Sequence, residues 1–149
     1  MTPFFENLGR RAGRSLRKGK WIYQSLAGDE DDAISAERAV GLDLARDVCE
    51  GMPIYRNDTV RQWLTETGQA LQTRLTQQGR TFTFGMIVAD DPNAFALPGG
   101  FIFVSHSMLE LLGGDRDELA ALLAHEMGHV VFGHALERIM LDSVMSTAI

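Results

Sequence analysis

A single cysteine, Cys49, stands in the 149-residue chain, so no internal disulfide framework is possible. Cys49 sits beside Leu44 and Val48 in a helical pattern and reads as a small core residue rather than a nucleophile. No long apolar run follows the first basic residues, which excludes a secretory signal there. No stretch is long and apolar enough to span a bilayer. The net charge is -6, so the balance of charge does not point to a nucleic-acid partner. Repeats and low-complexity tracts are also missing. What is present is ordinary globular composition, 45% hydrophobic and 23% charged, at a length suited to one domain with a true core.

The charge is unevenly distributed. Residues 1–20 carry six basic side chains (Arg10, Arg11, Arg14, Arg17, Lys18, Lys20) against one acid, Glu6. The rest of the chain is correspondingly acidic. Residues 1–28 are therefore expected to form a basic arm ahead of a domain at 29–149. Phe4, Leu8, Ala12 and Leu16 recur at i+4, as in a basic amphipathic helix lying on a membrane surface. Gly9, Gly13 and Gly19 weaken such a helix, and a solvated arm is the preferred reading. The expected location is the cytoplasm, with contact to the membrane surface through residues 1–20 as the variant.

Beyond the acidic boundary Asp29–Asp32, Ile34, Val40, Leu44 and Val48 mark a helix over 33–50, closed by Gly51 and Pro53. Asn57 or Asp58 can cap a second helix that carries Val60, Trp63, Leu64, Leu71 and Leu75 and runs to Gly79. Phe82, Phe84, Met86 and Val88 then alternate, a strand with one buried face. Asp90 to Asn93 turn the chain, 94–97 is a short extended piece, Pro98-Gly99-Gly100 turn it again, and Phe101 to Val104 return as a strand. Ser107 and Glu110 have capping-box spacing for a short helix ending at Gly113-Gly114. Asp115 can cap a longer helix with Leu119, Leu122, Leu123, Met127, Val130 and Val131. Helices, strands and helices in that order predict an α+β domain.

The long helix contains His125-Glu126-Met127-Gly128-His129, an HExxH pattern. Residues four apart on a helix lie about 40° apart in projection, so both imidazoles project to one side and can share one Zn²⁺. Bound zinc brings the pKa of a water down to about 7, and Glu126 is placed to take that water's proton as general base. A chance match would fall in any context; this one falls on a capped helix with an apolar opposite side. His134, five residues past His129, turns about 140° away on a continuous helix and does not complete the site. Phe132 and Ala135 occupy the places where a metzincin needs Gly and His. His106, after a strand, reads as a hydrogen-bonded structural histidine.

The string Asn93-Ala94-Phe95-Ala96-Leu97-Pro98-Gly99-Gly100, the hydrophobic strand after it, Asp117-Glu118-Leu119, and His125-Glu126-Met127-Gly128-His129 resemble the HtpX-like zinc metalloendopeptidases. That family includes Oma-type and CAAX prenyl-protease relatives. The resemblance implies a zincin-like fold of the gluzincin type, with a small mixed sheet, an exposed edge strand and N-terminal helices. It implies that His125 and His129 bind one zinc and that Glu126 is the catalytic base. It also implies that Asn93, Ala94, Phe95 and Ala96 form the edge strand that pairs with the backbone of an extended substrate.

The family's third zinc ligand is a glutamate in a later Glu-x-x-x-Ala-Asp helix, and this sequence holds no such string after His129. Glu137 lies about 12 Å further along a continuous helix, and Asp142 lies beyond it. The expectation is therefore a domain whose sequence stops before the third ligand, with zinc held weakly by two histidines. The function expected is hydrolysis of peptide bonds in unfolded or misfolded proteins. A catalytically incomplete module that binds peptides or partners is the alternative.

Overall fold

A computed structural model describes residues 30–76 and 79–133. The basic arm, His134, Glu137 and Asp142 lie outside the described residues. The elements are α1 (Glu30–Gly51), α2 (Asp58–Gln72), β1 (Thr83–Ile87), β2 (Ala94–Leu97), a 3₁₀ turn (Pro98–Gly100), β3 (Phe101–Ser105), α3 (His106–Leu112) and α4 (Arg116–Val131). The architecture is α+β, as expected.

The three strands form one mixed sheet in the order β1-β3-β2. β3 runs parallel to β1 and antiparallel to β2, so the last strand in sequence is threaded between the other two. All five residues of β3 are buried. A strand buried throughout needs cover on both faces of its sheet. One face packs on α1 through Val40, Leu44, Ala45 and Val48, which meet Ile87, Leu97, Phe101 and Phe103. The opposite face packs on α2 and α4, where Leu64, Leu119, Leu123, Met127 and Val130 meet Phe82, Met86, Ile102 and Val104. This sandwich corrects the one-faced strand expected around Phe82 to Val88. Ile87 is buried against α1, while Val88 is 39% exposed. The outer side of β1 is taken by the preceding segment, where Tyr55 N–H donates to Met86 O and Val88 N–H donates to Pro53 O.

α1 is fixed to the Pro98-Gly99-Gly100 turn by polar contacts at close range. The backbone C=O of Gly99 accepts from Arg38 Nη1 at 2.7 Å, and its N–H donates to Glu37 Oε1 at 3.4 Å. Arg38 also donates to Thr81 O and Thr83 Oγ1, and its guanidinium lies 4.5 Å from the centre of the Phe101 ring. Glu37 is buried and paired with Arg80 at 3.1 Å, which supplies the partner a buried carboxylate needs. Gly99 and Gly100 hold φ of 80° and 83°, a region that side chains with a Cβ rarely occupy. Gly41 of α1 makes the close approach possible, since a Cβ there would lie 1.7 Å from Pro98 O.

Three local expectations need correction. α2 stops at Gln72 rather than running to Gly79: Arg74 and Leu75 N–H turn back to Leu71 and Gln72 carbonyls, and the Gln72 side chain reaches forward to Arg80 O. Asn57 caps its start, accepting from Val60 N–H at 3.1 Å. α3 is capped by Ser105, not Ser107, whose hydroxyl instead donates to Ala89 O. Cys49 is exposed on α1 rather than in the core. Even so, the protein surrounding its sulfur pushes the thiol pKa up by desolvation, which disfavours the reactive thiolate. No described helix is long and apolar enough to cross a membrane.

Gly41→Ala is expected to force α1 off the turn and destabilise the protein by about 2 kcal/mol. Urea unfolding should show a lower midpoint with an unchanged slope. An unchanged midpoint would show that the close contact between α1 and the turn is not required.

Candidate metal centre

α4 is built by two patterns laid on one helix. Asp115 caps it, its carboxylate accepting from Asp117 and Glu118 N–H at 3.0 and 3.1 Å. Asp117 and Glu118 then place negative charge at the positive end of the helix dipole. Leu119, Leu123, Met127 and Val130 recur every three or four residues and are 0–2% exposed. Each contributes about 1.5–3 kcal/mol by leaving water, so this stripe decides which side of α4 meets the sheet. His125 and His129 fall on the flank that remains accessible: His125 is exposed and His129 half-buried.

The two imidazoles meet edge to face at 86°, with ring centres 4.6 Å apart and Nε2 atoms 3.1 Å apart. That spacing allows an N–H···N hydrogen bond between the rings. It is also close to the separation of about 3.3 Å expected for two nitrogens bound to one tetrahedral zinc. Glu126 lies on the other border of the pair, about 20° from Leu119 in helical projection, and is only 6% exposed. One ligand atom from each of His125, Glu126 and His129 falls within 4.8 Å of the others. Among the described residues this is the one such group of three. The two imidazoles are donors that suit a divalent transition metal, and the Glu126 carboxylate stands beside them.

The helix does not continue past the site as the sequence reading assumed. Phe132 closes it, its N–H donating to Gly128 O, and Gly133 follows at φ 74°. His106 has the structural role expected of it: Nδ1 accepts from Ala89 N–H at 3.1 Å, and the ring packs beside Tyr55.

Asn93, Ala94, Phe95 and Ala96 come together at one edge of the sheet. β2 pairs with β3 alone among the described strands and packs against α4. Asn93 N–H donates to Ser105 Oγ and Ser105 N–H to Asn93 O, both at 2.9 Å. In an antiparallel ladder the next residue points its main-chain groups the other way. Ala94 and Ala96 therefore present N–H and C=O outward, while Phe95 and Leu97 bond to β3. Ser105 was not singled out from the sequence. Its buried hydroxyl serves Asn93 N–H, Met108 N–H and Asp91 O together, and so ties the start of β2 to the cap of α3. A serine just before a helix is a cap signal, but Ser107 carries the same signal with better spacing to Glu110.

Residues 58–149 match the profile of peptidase family M48. Over 55 residues the chain is 47% identical to the mitochondrial metalloendopeptidase OMA1 of Schizosaccharomyces pombe, covering 37% of this chain and 16% of that protein. Over 114 residues it is 31% identical to the beta-barrel assembly-enhancing protease of Escherichia coli K12, covering 76% of this chain and 23% of that one. Over 78 residues it is 32% identical to the metalloprotease LoiP of Escherichia coli K12, covering 52% and 29%. The chain thus spans less than a third of the length of each relative.

Ser105→Ala should remove the cap of α3 and leave Asn93 N–H without its acceptor, costing about 2 kcal/mol. Hydrogen exchange should show faster exchange of the Asn93 and Met108 amides. Unchanged protection of both would show that the hydroxyl is not what holds them.

Proposed function

Since the chain belongs to peptidase family M48, we propose that it carries the catalytic helix of a zinc-dependent endopeptidase, with a zincin-like fold of the gluzincin type. His125 and His129 hold the metal, and Glu126 is the general base. The observation that carries this reading is the cluster of three side chains on α4, with both Nε2 atoms 3.1 Å apart and the carboxylate beside them. Zinc, when bound, polarises a substrate carbonyl and lowers the pKa of a water.

The remaining chemistry belongs to the protein's own side chains. The two imidazoles coordinate in their neutral form, so metal binding competes with their protonation. Glu126 takes a proton from the attacking water and delivers it to the departing amine nitrogen. Its burial on the flank of the apolar stripe keeps bulk water from screening that carboxylate. A third protein ligand would come from outside the described residues.

The substrate is an extended polypeptide. The outward N–H and C=O groups of Ala94 and Ala96 offer main-chain hydrogen bonds to any chain that can adopt a strand. Unfolded or misfolded proteins satisfy that requirement, and folded ones do not. Family membership and the metal-ligand cluster favour catalysis over a module that only binds peptides.

In any active form that carries this chain, Glu126→Gln should retain one zinc and slow cleavage of a denatured protein by about a hundredfold or more. His129→Ala should lose tight zinc binding, read by dialysis and metal analysis. Cleavage at the wild-type rate by Glu126→Gln would remove this residue from the role of base.

A further inference from the structure

The parity of β2 carries a statement about selectivity, resting on the proposal that a peptide pairs with this edge. Ala94 and Ala96 lie on the face of the sheet that packs against α4, and Phe95 and Leu97 lie on the face covered by α1. Leu97 is buried, whereas Phe95 is half-buried and stacks on Phe103, with ring centres 5.4 Å apart and an interplanar angle of 22°. Phe95 is thus the one large side chain of β2 that is both held in place and partly accessible.

The hydrogen bond from Ser105 N–H to Asn93 O fixes how the residues of β2 alternate. Phe95 turns its main-chain groups to Phe103, its partner in register. A peptide added antiparallel along the outer edge would hydrogen-bond at Ala94 and Ala96. Its residue opposite Phe95 would then sit in a non-hydrogen-bonded pair, where the Cα atoms approach to about 4.5 Å and side chains touch most closely. That residue's side chain falls on the α1 face, beside the Phe95 ring. Its two neighbours fall on the α4 face, where β2 offers only the methyl groups of Ala94 and Ala96.

We infer that Phe95 makes the edge strand selective at a single position: the substrate residue directly opposite it is aromatic or β-branched, and β2 sets no size demand on the residues either side. Cross-strand aromatic pairs and aromatic pairs with β-branched residues supply the preference.

The test uses the full chain as Glu126→Gln, loaded with zinc, and nine-residue fluorescent peptides of serine, threonine and lysine. The central residue is Phe, Ile, Ala or Asp, and binding is read by fluorescence anisotropy. Peptides centred on Phe or Ile should bind about fivefold tighter than the Ala peptide, with Asp weakest. In Phe95→Ala the spread should fall to about twofold or less. Phe95→Leu, which keeps the site apolar, should retain part of it even if the alanine variant folds poorly. N-methylation of the Phe peptide separates this inference from the edge-strand proposal. A methyl on the central nitrogen should be tolerated, and one on either neighbour should weaken binding about tenfold. Equal affinity for all four centres, or a preference that persists in Phe95→Ala, with the N-methyl pattern intact, would overturn the selectivity and leave the paired strand standing. Indifference to every N-methyl group would overturn both.

Discussion

A strand with five consecutive buried residues cannot lie on a surface, and β3 imposes this constraint on the whole domain. Both of its faces have to be covered by apolar side chains, and both of its edges have to be hydrogen-bonded. α1 supplies one cover, and α2 with α4 supply the other. β1 and β2 take the two edges. β1 is in turn masked by the segment around Pro53 to Tyr55, so β2 is left as the outer edge on the side of α4. The open strand and the helix that bears His125 and His129 become neighbours because β3 has to be buried.

The same constraint orients the chemical groups. α4 meets the sheet through Leu119, Leu123, Met127 and Val130, and helical geometry then leaves His125 and His129 on the accessible flank. Glu126, next to His125 in sequence, is carried to the border of the apolar stripe. Two imidazoles reachable by a metal thus sit beside a carboxylate shielded from water, without any irregularity in the backbone. At the far end of β2, Glu37 and Arg38 grip both main-chain groups of Gly99, and Gly41 lets α1 come close enough for them to do so. Ser105 holds the near end. The edge strand is fixed at both termini, which limits the entropy a bound peptide would have to remove from the protein.

Features that depend on local periodicity were legible in the sequence. The i, i+4 spacing of His125 and His129, the cap at Asp115, the extended piece at 94–97 and the glycine turn at 98–100 all follow from short-range geometry. Features set by distant partners were not legible. The end of α2 depends on Gln72 reaching Arg80 O, and the burial of Ile87 depends on α1 covering the second face of the sheet. Cys49 follows the apolar helical pattern closely, yet falls just outside the buried stripe of Leu44, Ala45 and Val48. The choice between Ser105 and Ser107 as cap was decided by which hydroxyl the loop at 89–93 engages. Phe132-Gly133 is a helix stop that the sequence also carries, and Gly133 takes the positive φ that such a stop uses.

The central claim is that His125 and His129 bind one metal through their imidazole nitrogens. X-ray absorption at the zinc edge tests it most directly, on protein loaded with one equivalent of zinc. The account predicts two imidazole nitrogens at about 2.0–2.1 Å, with one fewer in His125→Ala. A first shell of oxygen atoms alone, or a spectrum unchanged by His125→Ala, would contradict it.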